Sequence, residues 1–137
     1  MTGPSIARIV AFDDPAPAPE ASMPAPDRLL AGEPRQLIWN RYSDPTGQFH
    51  AGIWQGEAGA WRVQYDAHEE ELCTLLEGRV RLTDAAGQVR EFAPGASFVV
   101  PGGFCGVWEN LGRVRKVYAV TALRPGANPT SGTKETT

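Results

Sequence analysis

Between Gln36 and Ala122, apolar and polar side chains alternate in short bursts and never in a helical stripe. Trp61, Val63 and Tyr65 are separated by Arg62 and Gln64; Val80 and Leu82 lie among Arg79, Arg81 and Thr83. A period of two puts alternate side chains on opposite faces of a strand. Ala85-Ala86-Gly87 turns the chain into Gln88 to Phe92, and Ser97 to Val100 ends at Pro101-Gly102-Gly103. A last strand, from Arg113 to Leu123, carries Val114, Val117 and Val120. Short strands punctuated by glycine predict an all-β sandwich or barrel.

The first 35 residues differ. Seven of the twelve prolines fall between Pro4 and Pro34, densest from Pro15 to Pro26. Proline lacks an amide hydrogen and fixes φ, so this stretch reads as extended, solvated spacer. Residues 1–35 are therefore an expected arm, 36–123 the barrel and 124–137 a flexible, polar tail. Within the arm, Ser5 to Phe12 is a candidate strand that docks at a distance, on a second subunit. Pro26 to Ala31 has room for one helical turn. No internal repeat is present.

At 137 residues and 42% hydrophobic content, the chain can build one real core. Its net charge of -3 lacks the basic footprint that phosphate backbones require, so no nucleic-acid partner is expected. No apolar run reaches membrane-spanning length, and Ile9 to Phe12 is too short for a signal-peptide core. Cys73 and Cys105 form no disulfide framework. Reduced thiols and no export signal give a cytoplasmic expectation.

Two segments resemble the paired motifs of the cupin superfamily. Glu71 is followed after six residues by Gly78, as in the first motif. Gly95, five residues, Pro101 and Gly103 match the second; Gly106 stands at its histidine position and Asn110 closes it. The stretches around them are similar to a small cupin group related to ureidoglycine aminohydrolase and an ethanolamine-utilisation protein. The resemblance implies an antiparallel jelly-roll β-barrel that forms a homodimer. It also implies three histidines and a glutamate around iron, manganese, zinc or nickel. Here those positions hold Tyr65, Ala67 and Gly106, and only Glu71 is in register. His68, three residues before Glu71, faces the other side of an extended strand unless a bulge redirects it. No metal cofactor is expected; one held against this pattern would use His68 and Glu71.

In the cupin register Glu71 points into the barrel with Cys73 and Leu75. A buried carboxylate needs a partner, either an arginine such as Arg62 or a ligand. Trp108 and Asn110 share the parity of Gly106, whose missing side chain leaves a space for Trp108 to fill. The expected ligand-binding residues are thus Tyr65, Cys73, Trp108, Asn110 and Trp61, around Glu71 as the candidate catalytic acid/base. His50 reads as a rim residue. One reading is a metal-independent cupin that binds a small polar metabolite, with Asn110 orienting a carbonyl and Glu71 moving a proton. A second is a metal-dependent hydrolase or isomerase built on His68 and Glu71. A third is a structural dimer with a vestigial pocket.

Overall fold

The alternating segments pair into two antiparallel sheets. A computed structural model describes residues 6–123. Its strands are β1 (Glu20–Ser22), β2 (Leu29–Gly32), β3 (Gln36–Ser43), β4 (Phe49–Gly56), β5 (Gly59–Gln64) and β6 (Glu69–Glu77). They continue as β7 (Val80–Asp84), β8 (Val89–Phe92), β9 (Ser97–Val100), β10 (Cys105–Asn110) and β11 (Val114–Ala122). One sheet has the order β1-β3-β4-β11-β6-β9 and the other β2-β5-β10-β7-β8. Facing each other, they make the jelly-roll barrel, and the core lies between them. No helix among the described residues is long and apolar enough to cross a membrane.

The sheets reach further into the proline-rich segment than the alternation indicated. Glu20–Ser22 pairs with β3, and Leu29–Gly32 pairs with β5. Both are edge strands, where one side needs no partner and nearby prolines cost no ladder bond. The turn expected over Pro26 to Ala31 is a single hydrogen-bonded turn, with Arg28 and Leu29 donating to the Ala25 carbonyl, and it runs straight into β2. Residues 6–12 join no strand of their own chain, and Ile9 is 94% exposed. Ser5 and the expected tail, 124–137, lie outside the described residues.

Register fixes what each face of the six-stranded sheet presents. The inner face carries the row Ser43, His50, Val120, Glu71, Val100, then the row Asn40, Gly52, Tyr118, Cys73, Phe98, then Ile38, Trp54, Lys116, Leu75. The outer face carries Trp39, Ile53, Val117 and the row Tyr42, Ala51, Ala119, Leu72, Val99. Two bulges hold this alignment: the register shifts between Asn40 and Tyr42, and again between Arg115 and Lys116. At the β6–β7 turn, Gly78 has φ +82°, and a Cβ there would lie 2.1 Å from the Arg113 carbonyl oxygen. The motif glycine is required by that close approach as well as by its backbone angle.

Candidate functional site

Lys116, on the inner face of β11, is fully buried, and its ammonium lies 3.0 Å from a carboxylate oxygen of Glu71 on β6. Tyr65, just beyond β5, donates its hydroxyl to the other oxygen. The ammonium also lies 3.6 Å from the Cys73 sulfur, and 4.2 and 4.8 Å from the ring centres of Trp108 and Trp54. A charge removed from water must be compensated on every side. Here one carboxylate, one sulfur and two π-faces do so.

This environment sets the protonation states. Burial, reinforced by the Glu71 charge, pushes the Tyr65 phenol well up, and the same two causes push the Cys73 thiol up. Burial pulls Lys116 down, but its interactions with Cys73 and Glu71, hydrogen bonds to both included, outweigh it, so the net direction is up. Tyr65 and Cys73 are therefore neutral proton holders, and Lys116 is a cation.

The sequence-predicted residues meet, but they meet as packing. Trp61, Tyr65, Glu71, Cys73, Trp108 and Asn110 are all buried to within 2%. Trp61 stacks on Trp108 with centroids 6.4 Å apart, and Trp54 meets Trp108 edge-on at 5.9 Å. The Trp108 indole donates to Asn110 Oδ1 at 2.8 Å, and Asn110 Nδ2 donates to the Glu57 carbonyl at 2.9 Å. Asn110 thus ties the aromatic floor to the β4–β5 turn and points at no open space. Clefts of about 740, 430 and 210 Å³ lie on the flanks of the barrel, and Glu71 lines none of them.

Three expectations need correction. The partner of Glu71 is Lys116, whereas Arg62 points outward and donates to the Asp27 carbonyl. Gly106 leaves no vacancy: a Cβ there would meet the Thr83 carbonyl oxygen at 2.0 Å and the Phe104 ring at 2.9 Å. Gly106→Ala is therefore a folding mutation, expected to cost about 1–3 kcal/mol by forcing β10 away from β7. Urea unfolding checks it, and an unchanged midpoint would contradict the close approach. His68 and Glu71 do not converge, since His68 is exposed in the turn before β6 and Glu71 is buried. His50 does lie at the rim, half-buried on the inner face of β4.

The fold's usual transition-metal site does not fit these residues. Tyr65 spends its hydroxyl on Glu71, Ala67 has no donor, Gly106 has no side chain, and an ammonium already holds Glu71. Among the described residues, no three His, Cys, Asp or Glu side chains form a group able to hold a metal ion.

Residues 43–118, more than half of the chain, match the family model described as the EutQ-like cupin domain. None of the curated proteins matches. Among solved structures, a protein of unknown function of the DUF861 family from Pseudomonas syringae is 28% identical, with a TM-score of 0.67 over 75% of this chain. This chain spans only 44% of that protein's length. The ethanolamine utilization protein EutQ of Salmonella typhimurium is 17% identical, with a TM-score of 0.56 over 65% of this chain and 71% of its own. Ectoine synthase from P. lautus is 15% identical, with a TM-score of 0.56 over 64% of each chain. The last two likenesses are of fold alone.

Proposed function

The chain belongs to the EutQ-like cupin domain family, and on that premise we propose a metal-independent barrel that works as one half of a homodimer. In this reading it is an assembly and binding module, its interior a structural core and not a reaction chamber. The buried Lys116–Glu71 pair carries the reading, because it puts a covalently tethered cation where metal-holding relatives of the fold gather their ligands. The apolar outer face of the six-stranded sheet supports the dimer: Leu72 is 48% and Val99 60% exposed, side by side in a row with Ala119, Ala51 and Tyr42. Contiguous apolar patches of this kind mark interaction surfaces. Sedimentation of tag-free protein at tens of micromolar should give twice the chain mass of 14.8 kDa. Leu72→Asp should return the monomer, and elemental analysis should find no stoichiometric transition metal. A monomeric parent, or one metal per chain, would sink the reading.

A second reading is favoured by one observation. Tyr65, Glu71 and Lys116 form a continuous hydrogen-bonded chain, and the half-buried Phe104 ring packs edge-on against Tyr65 with centroids 6.2 Å apart. If Phe104 swings aside, a small polar metabolite reaches Tyr65, and Glu71 becomes the acid/base. Calorimetric titration with a panel of small carboxylates and amides, repeated on Phe104→Ala, separates the two. Binding that strengthens in the variant supports the metabolite site.

A further inference from the structure

The inner face of the barrel holds a second polar cluster that the Lys116 site does not use. Ser43 ends β3 and lies directly opposite His50 in β4. The bulge at Arg41 turns Ser43 back onto the face that carries Asn40. The His50 Nε2–H points at the Gly47 carbonyl at 3.0 Å, which leaves the Nδ1 lone pair facing the Ser43 hydroxyl at 2.6 Å. That carbonyl is itself fixed by the hairpin loop. Asp44 Oδ1 accepts the Gln48 and Phe49 amides at 2.9 Å each, Oδ2 accepts the Thr46 hydroxyl, and the Gly47 amide bonds the Asp44 carbonyl. On the other side, Asn40 Nδ2 donates to Ser43 Oγ at 2.9 Å, and Asn40 Oδ1 accepts from the buried Tyr118 hydroxyl at 2.7 Å.

We propose that Ser43 and His50 are a nucleophile and its base, oriented by the Gly47 carbonyl, and that they transfer a short acyl group from an ester. A hydroxyl paired to a base that is itself held by a third group is the arrangement nucleophilic catalysis needs. Ser43 is exposed and open to attack a carbonyl carbon, while His50 is half-buried and held at both ring nitrogens. Asn40 keeps one amide hydrogen beyond its bond to Ser43, a donor for the oxygen that gains charge. Beside Asn40 lies a cleft of about 210 Å³ whose wall mixes Val10, Ala11, Pro15 and Pro17 with Asp14 and Arg41; Asn40 is the residue it shares with the pair, and its size admits a short acyl group.

The chemistry balances within these groups and water. Ser43 Oγ forms a bond to the ester carbonyl carbon as its proton passes to His50 Nδ1. The carbon–oxygen bond to the leaving alcohol then breaks, and His50 returns the proton to that oxygen. Water, deprotonated by the same nitrogen, attacks the acyl-serine and releases a carboxylic acid and the free hydroxyl. Ser43, His50 and Asn40 make none of the hydrogen bonds that join Tyr65, Glu71 and Lys116 at the barrel centre.

The test uses the full chain and p-nitrophenyl acetate, with an alkyl fluorophosphonate as trap. The expected result is nitrophenol release that Ser43→Ala and His50→Gln each lower about a hundredfold, the scale of a positioned acid/base. Asn40→Ala should lower it about tenfold, and Ser97→Ala should leave it unchanged. Peptide mass analysis should place the fluorophosphonate adduct on Ser43. Circular dichroism establishes that each variant is folded, and Ser43→Cys, which keeps a nucleophile at the position, should retain acylation if Ser43→Ala proves unstable. Release that is undiminished in folded Ser43→Ala, or an adduct absent from Ser43, overturns the proposal.

Discussion

Lys116→Ala is expected to lose about 3–5 kcal/mol of unfolding free energy, the cost of leaving a buried carboxylate without its cation. Among the described residues the ammonium is the one counter-charge in contact with Glu71, and both residues are shut away from water. Lys116→Met separates charge from packing, because it puts an unbranched apolar side chain beside the Trp54 and Trp108 rings in place of the ammonium that now faces them. It should still lose most of that stability. The double variant Lys116→Met with Glu71→Leu should recover it to within about 1–2 kcal/mol of the parent, since paired burial of charges is often no better than apolar replacement. Urea titrations of the four proteins close a cycle. Singles within 1 kcal/mol of the parent would mean that Glu71 is satisfied without Lys116.

Raising the pH from 9 to 11 should cost about 3–4 kcal/mol through the same cluster. Cys73, Tyr65 and Lys116 have ordinary values of 9.0, 10.0 and 10.5, and each is moved upward in the folded protein. The unfolded chain therefore gives up these protons at lower pH than the folded chain does. Their contribution is complete below pH 9 and shrinks as pH rises, on the order of 1 kcal/mol per pH unit for each titrating group. Urea midpoints between pH 7 and 11 measure the decline. Cys73→Ala should keep the profile flat to about pH 10, since the thiol is the first of the three to titrate when unfolded. A parent whose midpoint holds steady from pH 9 to 11 would contradict the buried, protonated cluster.

The strands and their parity were legible because residues on a two-residue period leave a direct trace in sequence. Glu71, Cys73 and Leu75 face inward as the alternation implies, and Trp61, Tyr65, Trp108 and Asn110 meet them. Lys116 was not legible, although the signal was there. Grouping Val114, Val117 and Val120 mixes the two faces of β11, whereas strict alternation from Val114 puts Lys116 and Tyr118 inside and Val117 outside. A lysine in that register looks like a surface residue until a carboxylate is known to lie opposite. Gly106 misled for a related reason. A missing side chain in sequence marks either an empty space or a backbone too close for one, and only the Thr83 carbonyl tells which. The Ser43–His50 pair depends on a bulge at Arg41, and a one-residue insertion in a ladder has no compositional signature.

The placement of the four indoles gives this protein two optical reporters that need no label. Trp54, Trp61 and Trp108 lie within 6.4 Å of one another, close enough to exchange excitation and emit as one dry chromophore beside the Lys116 ammonium. Trp39 stands apart on the outer face of the six-stranded sheet, with the Arg115 guanidinium over its ring. Its emission follows the polarity of that face, so dissociation of the proposed homodimer on dilution would shift the red component alone. Opening of the barrel shifts the blue one, and a single spectrum distinguishes separating from unfolding.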